Sequence, residues 1–274
     1  MTFRDKLTHA AQANRSLLCV GLDPDPSRMP VDAGTFLPAI VEATSDLVCA
    51  YKPNLAFYEQ MGESGYAALR AVLQAIPDHI PVIGDAKRGD IANTAQAYAR
   101  ALFDELGFDA VTVNPYLGGD AVAPFLERAD RGVFIVCRTS NPGAGDLQDL
   151  PVPGKGGVRP LYVTVAELAK QWNSRGNVGL VVGATYPEEL RRLRELCPEM
   201  PLLLPGIGSQ EGDLERAVRA GLDADAGGII VNSSRAVLYA SQGADFAQAA
   251  RREAQALRDA IEAHRRAVRV EAQT

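Results

Sequence analysis

Eight short apolar runs recur along the chain, most of them separated by a stretch long enough for a helix. They are Ser16–Gly21, Leu47–Lys52, Ile80–Asp85, Ala110–Asn114, Gly132–Cys137, Val178–Val182, Pro201–Pro205 and Gly228–Asn232. None alternates strictly between apolar and polar residues, which is the pattern of strands covered on both faces. The segments between them carry helical periodicity. Thr94–Leu106 places Ala95, Tyr98, Leu102 and Leu106 on one face. Glu188–Leu196 gathers Leu190, Leu193 and Leu196 opposite its charges, Glu211–Ala220 repeats the pattern, and Asp245–Ala267 stacks Phe246, Ala250, Leu257 and Ile261. The arginines of that last segment read as a solvated face. Eight strand–helix units favour an α/β fold of the (β/α)8 barrel type over a doubly wound sheet. Met1–Asn14 reads as a leading helix that caps the bottom of the barrel.

Length and composition agree. The chain has 274 residues, 47% of them hydrophobic. No composition shift marks a second unit, so residues 1–274 are expected to form a single TIM-barrel domain. A net charge of −6 argues against broad nucleic-acid binding, which needs a basic footprint. Met1-Thr2-Phe3-Arg4-Asp5-Lys6 carries charges where a signal peptide needs an apolar core. No apolar run approaches the roughly 18 residues that would span a bilayer. A soluble, cytoplasmic protein without membrane contact is expected. Cys19, Cys49, Cys137 and Cys197 are far apart in sequence and read as buried, reduced thiols. His9, His79 and His264 show no ligand spacing, so no metal site is expected.

In a barrel the C-terminal ends of the strands converge on one site. The first ends at Asp23, in Gly21-Leu22-Asp23-Pro24, and the second at Lys52, in Tyr51-Lys52-Pro53-Asn54. The third gives Gly84-Asp85-Ala86-Lys87-Arg88-Gly89-Asp90-Ile91. Asp85 and Lys87 are two apart and point to the same side while the chain stays extended. Asp90 follows a glycine that lets the backbone turn. Any one of these charges could belong to a structural ion pair. Together, at three consecutive strand ends, they are costly to bury unless paired and suit proton chemistry.

The last two strands end differently. The seventh runs into Pro205-Gly206-Ile207-Gly208-Ser209-Gln210, whose glycines let backbone N–H groups approach an anion. The eighth runs into Asn232-Ser233-Ser234-Arg235 and a short helical piece, Ala236–Ala240. Loops seven and eight with a small extra helix form the usual phosphate site of a barrel, and Arg235 supplies a forked cation. Gly206-Ile207-Gly208 does not complete a dinucleotide fingerprint, because position 211 is Glu, and Gly154-Lys155 is no P-loop. Thr139–Arg159, rich in glycine and proline, reads as a long irregular loop after strand five, on the face where barrel sites form.

These residues together resemble the orotidine 5′-phosphate decarboxylase family, in its longer bacterial form. The family's signature, Asp-x-Lys-x-x-Asp-Ile with Thr three residues on, is here Asp85, Lys87, Asp90, Ile91 and Thr94. Pro-Gly-Ile-x-x-Gln, from Pro205 to Gln210, matches its phosphate loop. The resemblance implies decarboxylation of orotidine 5′-phosphate to UMP and CO2 without a cofactor. It implies catalytic roles for Lys52, Asp85, Lys87 and Asp90, with Lys87 as proton donor to C6. It also implies a homodimer in which Asp90, Ile91 and Thr94 reach the neighbouring site. Asp23, Lys52 and Thr94 would bind ribose, Ser140 the pyrimidine, and Gly208, Gln210 and Arg235 the phosphate. The chain departs from the commoner form in two places: Asn232, Ser233 and Ser234 stand between the eighth strand and its arginine, and the Thr139–Arg159 loop is unusual in length.

Two other readings compete. Related barrels that act on sugar phosphates, such as 3-keto-gulonate-phosphate decarboxylases and hexulose-phosphate synthases, share the Asp-x-Lys-x-x-Asp pattern but look metal-dependent, with an acidic ligand near the end of strand two. Lys52 stands there instead and would repel Mg²⁺. A non-catalytic barrel that binds a phosphorylated metabolite would need the phosphate loops but not the alternating charges.

Overall fold

The structure, a computed structural model, describes residues 1–154, 157–206 and 211–271. Its strands are β1 (Leu18–Gly21), β2 (Ala50–Lys52), β3 (Ile83–Arg88), β4 (Ala110–Val113), β5 (Gly132–Arg138), β6 (Pro151–Gly154), β7 (Gly157–Pro160), β8 (Val178–Val182), β9 (Leu202–Pro205) and β10 (Ile229–Ser233). Eight of them form one parallel sheet in the order β2-β1-β10-β9-β8-β5-β4-β3. Its two edges meet through the parallel bridges Tyr51–Val82 and Asn54–Asp85. The Tyr51 N–H donates to Pro81 O at 3.0 Å and the Asp85 N–H to Pro53 O at 2.9 Å across that seam. The sheet is thus a closed (β/α)8 barrel, as the eight apolar runs predict.

Two cores follow from closure. Inside the barrel, each strand gives one buried residue to a plug: Cys19, Ala50, Ile83, Ala110, Phe134, Val181, Leu203 and Ile230. Outside, the alternate strand residues pack under helices that include Ala33–Thr44, Gly62–Ala75, Leu161–Trp172, Pro187–Leu196 and Phe246–Glu271. All four cysteines are free and buried.

The leading helix, Phe3–Ala13, starts with a capping box in which the Thr2 hydroxyl accepts from the Asp5 N–H and the Asp5 carboxylate accepts from the Thr2 N–H. Phe3 enters the bottom of the barrel and meets Phe134 edge-on at 5.7 Å. A Cβ on Gly132 would lie 2.4 Å from the Phe3 ring, so this plug needs glycine there. The Lys6 ammonium pairs with Asp109 at 2.8 Å and fixes the helix below β4.

Several local expectations change. Strand two narrows to Ala50–Lys52 and strand three shifts to Ile83–Arg88. Strand one begins at Leu18, because Ser16 turns its hydroxyl to Leu47 O and accepts from the Leu18 N–H. The helix after β3 starts at Ala92 and passes into a π turn over Ala101–Glu105, with both Leu102 and Phe103 buried. The described residues of the stretch 139–159 are not irregular. They hold a 3-10 turn (Pro142–Ala144), a short helix (Gly145–Gln148) and the antiparallel pair β6 and β7. The buried guanidinium of Arg138, on β5, anchors this stretch. That group reaches Gln148 and Asp149 and lies 4.6 Å from the centroid of the Tyr186 ring.

Candidate active site

Each strand position two residues above the apolar plug faces the same interior. There β2 carries Lys52, β3 Asp85, β4 Thr112 and β10 Asn232, and all four are buried. The Lys52 ammonium donates to Asp85 Oδ2 at 2.9 Å. The Lys87 ammonium reaches Asp85 Oδ1 at 2.5 Å, and Thr112 Oγ1 donates to that same oxygen at 2.9 Å. Both carboxylate oxygens are therefore engaged by donors, as a buried charge requires.

Burial pushes the Asp85 carboxyl up, but Lys52 and Lys87 outweigh it and hold it well below the usual carboxylate range. Burial pulls the Lys52 ammonium down, and Asp85 with Asp23 outweighs that and holds it above its ordinary value. Lys52 and Asp85 are sealed and Lys87 is open: their side chains are 4%, 9% and 47% exposed.

The backbone is bent where the chemistry is. Lys87 has φ +46°, in the left-handed region that lysine rarely adopts, and the β3–β4 register shifts between Gly84 and Arg88. The expectation that Asp85 and Lys87 share a side of an extended strand is thus corrected. A bend, not the pleat, carries the ammonium to Asp85. The Lys87 N–H donates to Thr112 Oγ1 at 2.9 Å and helps to hold that bend.

Above this charge chain opens a cavity of about 740 Å³, within the range of small-molecule sites. Asp23, Lys52, Asp85, Lys87 and Arg235 all line it, with Asn54, Gly206 and Asn232. Asp23 Oδ1 accepts from the Asn54 N–H at 3.1 Å. A Cβ on Gly21 would fall 1.8 Å from Ser234 Oγ, so glycine lets β1 approach the loop after β10. Arg235 is exposed on the cavity wall and opens the short helix Arg235–Leu238. Ser140 does not line the cavity; it lies against Gly183, with its Oγ 3.9 Å from where a Cβ on the lining residue Gly206 would be. Gly208 and Gln210 lie outside the described residues.

Asp90, Ile91 and Thr94 do not line this cavity. Asp90 accepts from the Ile91 N–H at 2.8 Å, Ile91 is 55% exposed, and Thr94 is exposed at the start of the following helix.

A sequence model of the orotidine 5′-phosphate decarboxylase / HUMPS family matches residues 16–252. The chain belongs to this family. It is similar to the orotidine 5′-phosphate decarboxylases of Thermomicrobium roseum, 57% identical over 98% of both chains, and of Roseiflexus castenholzii, 57% identical over 98% of this chain and all of that one. Among solved structures it is similar to the OMP decarboxylase of Leishmania donovani, with 45% identity, a TM-score of 0.85 and coverage of 97% of this chain and 99% of that one.

The family match spans every strand from β1 to β10 and every residue that lines the cavity. Sequence reading misses several parts of the cavity and of the charge chain beneath it. Thr112 has a signal, because it stands two residues above Ala110 as Lys52 stands above Ala50 and Asp85 above Ile83. Asn232 has the same signal two residues above Ile230, and its Oδ1 is buried with no partner among the described residues. Arg28 and Tyr239 also line the cavity, and nothing local in their sequence marks them.

Proposed function

We propose that the chain decarboxylates orotidine 5′-phosphate to UMP and CO2, the last step of de novo pyrimidine nucleotide synthesis. The observation that carries this reading is the Lys52–Asp85–Lys87 chain, in which Lys52 and Asp85 are buried and the Lys87 side chain is open to a nucleotide-sized cavity. In the reaction the bond between C6 and the carboxylate carbon breaks. CO2 leaves and the electron pair stays on C6 as a vinyl carbanion. The Lys87 ammonium stabilises that charge and then gives its proton to C6, and solvent returns a proton to Lys87. Asp85 and Lys52 keep Lys87 aimed, and the fixed charges do the work that a bound electron sink does elsewhere. No cofactor enters these steps.

The remaining roles follow position. Asp23 and Lys52 bind the ribose hydroxyls, Ser140 the pyrimidine, and Arg235 with Gly208 and Gln210 the phosphate. Phosphate binding, remote from C6, supplies free energy to align the base. Asp90, Ile91 and Thr94 serve the neighbouring barrel of a homodimer. Their position outside their own cavity supports this, with Ile91 and Thr94 exposed, as do the exposed apolar side chains Tyr116 and Leu117 beyond β4. The chain acts as one catalytic domain in the cytoplasm. Its free thiols suit a reducing compartment, and among the described residues no helix is long and apolar enough to cross a membrane.

The test is loss of absorbance from orotidine 5′-phosphate, with and without EDTA. Turnover in both arms is expected. No turnover with this substrate would sink the reading, and activity abolished by chelator would favour a metal-dependent relative of the same family.

A further inference from the structure

The cavity wall holds one more cation than the roles above use. Arg28 lines it beside Asp23, Asp25, Arg235 and Tyr239. Its guanidinium carbon lies 4.2 Å from the centroid of the Tyr239 ring. Among the described residues neither Arg28 nor Arg235 makes an ion pair. The nearby carboxylates are occupied differently. Asp85 is held by the two lysines, Asp23 accepts from the Asn54 N–H, and Asp25 Oδ1 accepts from the Ser27 N–H at 3.0 Å and its hydroxyl at 2.7 Å.

The placement of Arg28 is fixed from both ends. Its own N–H donates to Asp25 O at 2.9 Å and closes the turn. The Tyr239 hydroxyl accepts from the Asp25 N–H at 2.6 Å and donates to Asp23 O at 2.9 Å. Tyr239 caps the short helix that Arg235 opens, and its ring stacks on buried Phe36. One tyrosine thus ties the loop after β1 to the loop after β10 and serves as the platform for Arg28.

We propose that Arg28 is a second phosphate-binding residue, gripping the nucleotide's 5′-phosphate together with Arg235, and that Tyr239 is its positioning residue. The inference rests on the reading of the cavity as a nucleoside monophosphate site. A phosphate dianion offers three terminal oxygens, and one guanidinium fork covers two. A second fork from the loop after β1 completes the set. Because Tyr239 holds it in place, less side-chain freedom is lost on binding.

Calorimetric titration of the full chain with UMP, uridine and inorganic phosphate tests this. Arg28→Ala is expected to weaken UMP by about tenfold or more and phosphate comparably, with uridine unchanged, and Arg28→Lys to recover part of the loss. Tyr239→Leu should give a smaller loss of the same kind, whereas Tyr239→Phe keeps the platform and most of the affinity. An Arg28→Ala protein that binds UMP within about twofold of wild type, or loses UMP and uridine by equal factors, overturns the inference while leaving the nucleotide reading in place. Wild-type protein that binds phosphate through Arg28 but not UMP would keep the anion site and remove the nucleotide reading.

Discussion

Lys52 and Asp85 meet at 2.9 Å across the seam where β2 and β3 close the barrel, with both side chains nearly sealed from water. The pair stands at the seam where β2 and β3 are joined by the isolated bridges Tyr51–Val82 and Asn54–Asp85. A buried ion pair repays its desolvation only when its remaining donors and acceptors are satisfied. Thr112 and Lys87 do this for Asp85.

The pair makes stability depend on pH at both ends of the scale. Asp85 is held below its ordinary 3.8, so its contribution is present above that value and is lost as pH falls through the folded value. Lys52 is held above its ordinary 10.5, so its contribution is complete below that value and is lost as pH rises through the folded one. Urea unfolding midpoints measured from pH 2 to 12 should be lower at both extremes. In Lys52→Met the alkaline loss attributable to this group should vanish. A wild-type profile that shows no fall at either end would contradict the pairing.

Single and paired replacement should differ. Asp85→Asn leaves two ammoniums around a neutral amide and should cost about 3–5 kcal/mol, whereas Lys52→Met with Asp85→Asn should recover much of that loss. Neither protein should decarboxylate. Denaturant titration of both, beside an activity assay, checks the pattern, and equal stability of the single and double variants would count against a paired buried charge.

Lys87→Ala should lower kcat by about 1,000-fold or more while leaving UMP affinity nearly intact, because it removes the proton donor and the charge beside C6. Substantial decarboxylation by the purified variant would take Lys87 out of that role.

Thr112→Val tests the support beneath Lys87. The methyl group keeps the shape, but Asp85 loses a donor and the Lys87 N–H loses its acceptor. A stability cost of about 1–3 kcal/mol is expected, and kcat should fall toward about 100-fold as the bend at Lys87 relaxes. An unchanged kcat would show that the bend does not depend on Thr112.

The parts of this site legible in the sequence are those where charge interrupts an apolar strand. Lys52, Asp85 and Lys87 stand out because nothing about a buried strand end favours them. Thr112 does not stand out, since threonine is an ordinary strand residue. The bend at Lys87 is invisible because no glycine marks it. Arg28 becomes a cavity residue only through Tyr239, which reaches it from the other end of the chain. The pairing of β6 with β7 is hidden by its own composition: proline and glycine read as loop, and here Pro151, Pro153, Gly154, Gly157 and Pro160 are themselves residues of the two strands.

The proposed division of Asp90 from Lys87 between two barrels predicts complementation. Asp90→Ala and Lys87→Ala proteins should each be inactive. Coexpressed with distinct tags, they form mixed dimers in which one site has lost both groups and the other has kept both. With random pairing of a two-fold symmetric dimer, about half the dimers are mixed, so about a quarter of all sites should be active. The purified mixed dimer alone should show about half the activity of wild type per dimer. Should the mixed dimer stay as inactive as its parents, Asp90 would act in its own barrel. The exposed Ile91–Thr94 segment would then need an explanation within one chain, such as a loop that folds inward when the nucleotide binds.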